Sequence, residues 1–566
     1  MTSILSQLDL ALRQAIKDAL NLDADPQLGP SQNANFGDYQ SNGAMALAKS
    51  LGQKPRAVAE QIKSKLDLGD IASEISIAGP GFINIRLSPT WLAGRMDALR
   101  SDPRLGVEST AAPRTVVVDY SGPNVAKEMH VGHLRSTIIG DTISRILEFQ
   151  GHKVKRQNHV GDWGTQFGML ICELANQGYS SESGWPPISD LDAFYRTAKR
   201  KFDEDPSFQK ASQELVVMLQ KGDETAKRAW AHLLNATRQH YIPIYAQLGV
   251  KLTLANERGE SSYNSMLAEV VTELRQKKIA VESQCAIVVA VPGFESPLII
   301  QKSDGGFLYG TTDLAAILYR VKEMHANRII YTHDSRQQQH FAQVFWTAKK
   351  ADWADGVELD YAPFGTMLGE DGKPFKTRTG GTVKLKELLD EAEQRAMSVV
   401  TNKNPELAPT KRAEIAHAVG IGAVKYADLS KDRISDYAFS FDKMLALDGN
   451  TAPYLQYAHA RIRSIFRKTD EEPGPIRLES PFELALAKHM LRLGEIIELV
   501  GRELKPHHLC TYLYELAARF SGFYENCPVL QSDPATRASR LAICDLTART
   551  MESGLNLLGI DHPDQM

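Results

Sequence analysis

Apolar residues recur every three to four positions from Ile4 to Leu20, broken by Asp9, Arg13, Lys17 and Asp18, and that period predicts an opening helix with one inward face. The polar stretch SQNANFGDYQSN reads as a loop, the run Gly43 to Leu51 as a second helix, and Ile75 to Leu87 as short strands, so residues 1–112 are expected to form a small α+β domain. After the link STAAPRT, the β-branched run TVVVDY has the pattern of a buried parallel strand. Gly122 and Pro123 mark a turn, and Val131 to Phe149 carries helical spacing up to Gly151. From about 180 to 275 helical patterns rich in Lys, Glu and Gln, followed by the strand-like CAIVVAV and PLIIQK, predict a helical insertion at about 180–290. The strand-like NRIIYTHDS and YAPFGTML follow, with the helical run QQQHFAQVFWTAKKA between them, which predicts a second crossover unit.

Residues 113–385 are therefore expected to be an α/β domain built on a doubly wound, Rossmann-like parallel sheet. Beyond Lys384 the pattern is helical almost without interruption, which predicts a linking region at 386–445 and an all-α bundle at 446–566.

The 566 residues exceed what one core supports, as the multidomain reading requires. Hydrophobic residues make up 43% and charged residues 24%, an ordinary globular balance that excludes a fibrous or disordered chain. A formal charge of -4 excludes a polycation, so any RNA contact is expected on local basic faces. Cys172, Cys285, Cys510, Cys527 and Cys544 show no paired short spacing, so buried reduced thiols are expected, with neither a disulfide framework nor a metal site. The N-terminal helix lacks the apolar core of a signal peptide, and no run approaches the ~20 apolar residues that span a bilayer. A cytoplasmic protein with no membrane or DNA partner is expected.

His130 and His133 lie three apart at a helix entry, so both rings can reach one face of the first turn. A helix N-terminus favours an anion, and two imidazoles add donors for charge developing on phosphate oxygens. Gly132 between them leaves room for a nucleotide base or ribose. Taken alone, an HxxH pair is more often a surface feature, and metal ligation is a further reading.

With PNVAKEM before the pair and LRSTIIGD after it, the segment resembles the HIGH signature of class I aminoacyl-tRNA synthetases, in the extended form found in arginyl-tRNA synthetases. The resemblance continues in His159–Ile171, Tyr309–Arg320, Gly372–Leu385 and Thr451–Ile465. Where the class usually carries a KMSKS loop, this chain has Lys373-Pro-Phe-Lys376-Thr-Arg378, a departure found in many arginine enzymes. A basic loop of this kind, flanked by glycine, can close over the β and γ phosphates of ATP.

The resemblance implies ATP-dependent attachment of L-arginine to tRNA(Arg) through an arginyl-adenylate, with ATP bound as its Mg2+ complex. It makes His130, His133, Lys127 and Lys376 catalytic, with Lys127 supplying positive charge that the usual loop lysine provides, and it places ATP against Gly132, Lys373, Lys376 and Arg378. Asp119 and Asp313 would hold the arginine guanidinium, since paired carboxylates suit its planar donors. Tyr309 would line the pocket, and Gly122, Pro123, Asn124, His133 and Gln337 would meet the rest of the amino acid. Without the resemblance, Asp313 reads as a helix cap, Asp119 as a turn former and Tyr309 as a core aromatic.

Tyr454, Tyr457, Arg461, Arg463, Arg467 and Lys468 interleave aromatic and basic residues, which suits splayed RNA bases and equally describes a solvated helix face. The resemblance makes that bundle the anticodon-binding domain and gives Phe82 and Asn84 a tRNA base to contact. A monomer is expected. Two rivals stand beside this reading: a ligase that adenylates a small acid without tRNA, against which the long helical C-terminus argues, and a degenerate synthetase that only holds RNA.

Overall fold

The computed structural model describes residues 2–31, 33–178, 188, 190–375 and 383–566. Helix α1 (Ile4–Leu20) begins where Ser3 Oγ accepts the Ser6 amide. The strands β1 (Leu28–Pro30), β2 (Tyr39–Ser41), β3 (Ala72–Ala78) and β4 (Phe82–Leu87) form an antiparallel sheet in the order β1-β2-β4-β3. Against Ile83, Ile85 and Leu87 pack the apolar faces of α1, α2 (Gly43–Leu51) and α3 (Pro55–Lys65). The stretch 31–42 is not wholly loop. Tyr39 and Ser41 turn inward opposite Ile85 and Ile83, in a strand too short to register as alternation. Helix α4 (Pro89–Arg100) leads into the next domain.

There β5 (Thr115–Asp119), α5 (Val131–Phe149), β6 (Lys153–Val160) and α6 (Thr165–Asn176) precede three inserted helices, α7 (Leu191–Glu204), α8 (Pro206–Gln220) and α9 (Glu224–Gln247). The helical stretch expected to about 275 is interrupted, because β7 (Glu257–Gly259) rejoins the main sheet beside β6. After α10 (Asn264–Gln276), the strands β8 (Ala280–Ser283), β9 (Ala286–Val289) and β10 (Leu298–Gln301) make a separate antiparallel sheet. Then come α11 (Tyr309–Lys322), β11 (Arg328–Tyr331), α12 (Gln338–Lys350) and β12 (Glu358–Tyr361).

The main sheet has the order β12-β11-β5-β6-β7 and every pairing in it is parallel. The chain therefore leaves β5 toward one edge and returns to its other side at β11. That reversal opens a crevice at the carboxyl ends of β5 and β11, the usual ligand site of such sheets.

The segment YAPFGTML is not one strand. It holds the end of β12 and then β13 (Met367–Leu368), which pairs in parallel with β14 (Tyr437–Ala438) beyond α13 (Leu385–Lys403) and α14 (Pro409–Leu429). After α15 (Phe441–Met444), the helices α16 (Ala452–Phe466), α17 (Pro481–Met490), α18 (Leu493–Glu503), α19 (His507–Asn526) and α20 (Pro534–Leu557) complete the bundle. One apolar core runs from α5 through α14 into these helices. Arg135 of α5, 1% exposed, pairs with the equally buried Asp428 of α14 at 2.9 Å and bonds the Arg433 and Ser435 carbonyls. Removing either partner strands a buried charge, so the pair ties the α5 helix rigidly to α14.

Helix α5 lies close against β5. A Cβ at Gly140 would come within 2.3 Å of Tyr120 Cβ, and Tyr120 is fully buried. Gly140→Ala is expected to cost about 1–3 kcal/mol of stability through overpacking, and chemical denaturation of the two proteins checks this. Among the described residues no helix is long and apolar enough to cross a membrane. Four cysteines are buried, but Cys285 in the turn between β8 and β9 is exposed, contrary to the expectation for all five.

Candidate active site

The loop from β5 to α5 carries the histidine pair. His130 is the N-cap of α5 and not its first turn: its Nδ1 accepts the Gly132 amide at 3.0 Å, and His133 Nδ1 accepts the His130 amide at 3.1 Å. The Val131 amide is taken by the Val383 carbonyl and the His133 amide by the His130 carbonyl. The backbone amides expected to hold an anion are thus occupied by the protein itself, and the imidazoles are the donors that remain.

Burial, with Lys127 and Arg336 nearby, lowers His130. Burial and the His130 ring push His133 down to about 3. Both rings are neutral at pH 7, and because each Nδ1 accepts a hydrogen bond, the proton is assigned to Nε2. The site therefore offers two neutral Nε2–H donors from rings with centroids 4.0 Å apart. Gly132 is needed for the cap itself, since a Cβ there would meet His130 Cε1 at 2.7 Å. No group of three or more His, Cys, Asp or Glu side chains able to hold a metal ion occurs among the described residues.

Ser121 (φ 75°), Gly122 (φ 58°) and Ala126 (φ 60°) give the loop its shape. Gly122 N–H bonds Asn158 Oδ1 on β6 at 3.0 Å, and Asn124 lies beside Gly161 and is exposed, whereas Pro123 is buried. Lys127 is exposed, with Nζ 4.3 Å from the ring centre of Tyr195. Lys373 lies in the hairpin after β13, and Lys376 and Arg378 lie outside the described residues.

Across the crevice, α11 starts at Tyr309, so Asp313 sits within the helix and does not cap it. Tyr309 and Asp313 are four apart on one face, with Tyr309 64% exposed at the mouth and its ring 4.8 Å from that of His340. His340 Nε2 is 2.6 Å from Asp313 Oδ2. Burial works to raise Asp313, but His340, His159 and His333 outweigh it and hold the carboxyl below its ordinary value. Gln337 is exposed in the short turn that starts α12.

Asp119 has one carboxylate oxygen committed within the protein. Its Oδ2 is bound at 2.6 Å by Arg320 of α11, which is 0% exposed and also bonds Gln157. Strand register explains this, because Asp119 and Gln157 face each other across β5 and β6 above the arginine. A second carboxylate, Glu260 just past β7, lies close enough to Asp313 to feel its charge. Burial, with Asp313 and Asp162 beside it, pushes Glu260 up to about 8. Sequence reading missed it because β7 is three residues long, too short for a strand period to show. His159 Nδ1, His333 Nε2, Tyr331 Oη and Asp119 Oδ1 are buried around these carboxylates with no hydrogen-bond partner. A ligand with several donors suits such a lining.

Two further groups lie far from this crevice. On β4, Phe82, Asn84 and Arg86 alternate with the buried Ile83 and Ile85, placing Phe82 on the outer face half-buried. Asn84 on that face is only 1% exposed, since Gln40 Nε2 covers its Oδ1 at 2.8 Å. On α16, Tyr457 is 48% exposed and Arg461, four residues on, stacks over Tyr524 at 4.5 Å. Tyr454 instead turns toward Tyr514 and the core. Arg463 is committed to Glu552 and Asp545, and Arg467 to the Asp564 carbonyl. Tyr457 borders an apolar cavity of about 390 Å³ with Val400, Val419, Leu445 and Met566.

A parallel sheet split at β5 and β11, with a histidine-capped helix on one side and a carboxylate pocket on the other, is matched over residues 96–441 by the family described as tRNA synthetases class I (R), catalytic domain. Residues 6–87 match the arginyl tRNA synthetase N terminal domain, and 455–566 the DALR anticodon binding domain. The arginine--tRNA ligase of Cellvibrio japonicus is 53% identical over 552 residues, covering 95% of each chain. That of Laribacter hongkongensis is 51% identical over 553 residues, covering 96% of each. The crystal structure of arginyl-tRNA synthetase from Plasmodium falciparum superposes with a TM-score of 0.89 at 31% identity, covering 100% of both chains. The chain belongs to the arginyl-tRNA synthetase family.

Proposed function

We propose a division of labour among these residues in the ATP-dependent charging of tRNA(Arg) with arginine, the reaction of the family to which the chain belongs. ATP enters as its magnesium complex, and its phosphates lie against His130, His133, Lys127 and the basic stretch Lys373, Lys376 and Arg378. Two neutral Nε2–H donors follow charge onto the phosphate oxygens as the arginine carboxylate attacks the α-phosphate and pyrophosphate leaves. Gly132 keeps the capping ring in place. No protein nucleophile is needed, so rate comes from positioning and from stabilising this charge. The 2′-hydroxyl of the terminal adenosine then takes the arginyl group and AMP leaves.

The guanidinium is held by Asp313 and Glu260, with Tyr309 over it, while Arg320 keeps Asp119 in place behind them. Gly122, Pro123, Asn124, His133 and Gln337 border the amino-acid end of the crevice. Phe82, with Asn84 beneath it, and the Tyr457, Arg461 and Tyr454 face of α16 are the tRNA contacts. The chain acts as a monomer.

The observation that carries this reading is that α11, which holds Asp313, packs against the turn that holds Glu260, so that the two carboxyls feel each other's charge. Its test is ATP and pyrophosphate exchange with each amino acid, with and without tRNA(Arg): arginine alone is expected to support it, and exchange driven by another amino acid would overturn the assignment.

The raised Glu260 also gives a pH dependence. Protonated Glu260 must lose its proton before it accepts from a guanidinium, so arginine binds more weakly as pH falls below about 8. Between pH 8 and 7 the KM for arginine should rise about fivefold, and Glu260→Gln should weaken binding and flatten the profile. A parental profile that is already flat removes Glu260 from the pocket.

A further inference from the structure

The β5–α5 loop has two non-glycine residues, Ser121 and Ala126, in the left-handed region, a shape that persists only where surroundings impose it. Much of that constraint comes from the inserted helices. Ala126 N–H bonds Thr237 Oγ1 of α9 at 2.9 Å, and Glu128 N–H bonds Asp192 Oδ1 in the first turn of α7 at 3.1 Å. Glu128 Oε1 in turn takes Lys384 Nζ at 3.0 Å. Tyr195 stands three residues after Asp192 on the same face of α7, and its ring receives Lys127 Nζ at 4.3 Å.

Among the described residues no carboxylate forms an ion pair with Lys127. A carboxylate would hold the ammonium and cancel its charge. An aromatic face holds it through the ring quadrupole and leaves the net charge in place for a phosphate.

We propose that Tyr195 of the helical insertion is a positioning residue for the phosphate site, holding the Lys127 ammonium while Asp192 fixes the backbone that carries it. The proposal rests on the reading in which Lys127 supplies charge to ATP. A lysine stem has four rotatable carbons, and an unheld ammonium spreads over many positions. The inserted helices, which touch neither the sheet crevice nor its carboxylates through these residues, would thereby take part in the chemistry of the phosphate half alone.

The experiment is single-turnover ATP consumption by the full chain with arginine and tRNA(Arg) present, for Tyr195→Leu and Tyr195→Phe, each in the parent and in Lys127→Met. Tyr195→Leu is expected to slow the parent about fivefold and to raise KM for ATP but not for arginine, while Tyr195→Phe, which keeps the ring, stays within about twofold. In the Lys127→Met background Tyr195→Leu should cost nothing more. Equal losses in both backgrounds mean that Tyr195 only packs, which overturns the proposal. A slow Lys127→Met protein beside a Tyr195→Leu protein at the parental rate also overturns it, yet leaves the Lys127 reading intact. Lys127→Met at the parental rate defeats both. Thermal melts check folding, and Tyr195→Met, apolar and more adaptable in shape than Leu, replaces the Leu variant if that one does not fold, with the same outcomes applying.

Discussion

Replacing Asp313 by Asn is expected to raise the KM for arginine about a hundredfold while leaving that for ATP within about twofold, because a buried charge-assisted pair is lost and one carboxylate cannot replace it. Asp313 is the carboxylate held ionised in the pocket, since three histidines outweigh the effect of its burial. Glu260 beside it is protonated at neutral pH until a cation arrives. An amide at 313 keeps the size of the side chain and its bond to His340 but presents donors to a ligand made of donors. The expected loss therefore falls on arginine alone. Steady-state charging of tRNA(Arg) with each substrate varied in turn reads it directly, and equal effects on the two constants would remove Asp313 from the pocket.

The same pair of carboxylates marks where the sequence was readable and where it was not. Helix α5 runs from Val131 to Phe149, as its spacing predicts, because apolar residues recur at helical spacing over its whole length, although the fold buries it on nearly every side. The strand β5 was equally plain, being a β-branched run buried on both faces. By contrast β7 has three residues and β13 and β14 two each, and alternation has no meaning at that length. Of these, β7 sets Glu260 just past the edge of the main sheet, and β13 with β14 ties Gly365 and Thr366 to the segment after α14.

Residue chemistry was legible where a motif carried it and obscure where a partner decided it. Asp119 and Asp313 look alike in the sequence as acids near element ends. Only strand register, which places Gln157 opposite Asp119, and the turn of α11, which aims Arg320 at it, commit one oxygen of Asp119 to the protein, whereas Asp313 pairs with His340. Similarly, the interleaved aromatic and basic residues of α16 divide by helix face: Tyr457 and Arg461 look outward, while Arg463 is committed to acids of α20. In the sequence the histidine pair offers two donors beside an anion-binding helix end. The fold instead spends the helix end on the histidines, which makes the rings the whole of the donor set.

That replacement fixes what His130→Ala should do. The substitution removes the Nε2–H donor and also the Nδ1 acceptor that caps α5, so two losses have to be separated. Losing one donor to charge developing in the transition state costs about a hundredfold to a thousandfold in rate. Losing the cap costs about 1 kcal/mol of stability, too little to unfold the chain. His130→Asn separates the two, since Asn is a good N-cap and too short to put its amide where Nε2 stood. Adenylate formation in a single turnover is expected to be slowed about a hundredfold or more by either change, with the melting temperature lowered only by Ala. A His130→Asn protein that activates arginine at the parental rate would show that the ring serves the helix and not the phosphate, and the chemistry would then rest on His133 and the cations around it.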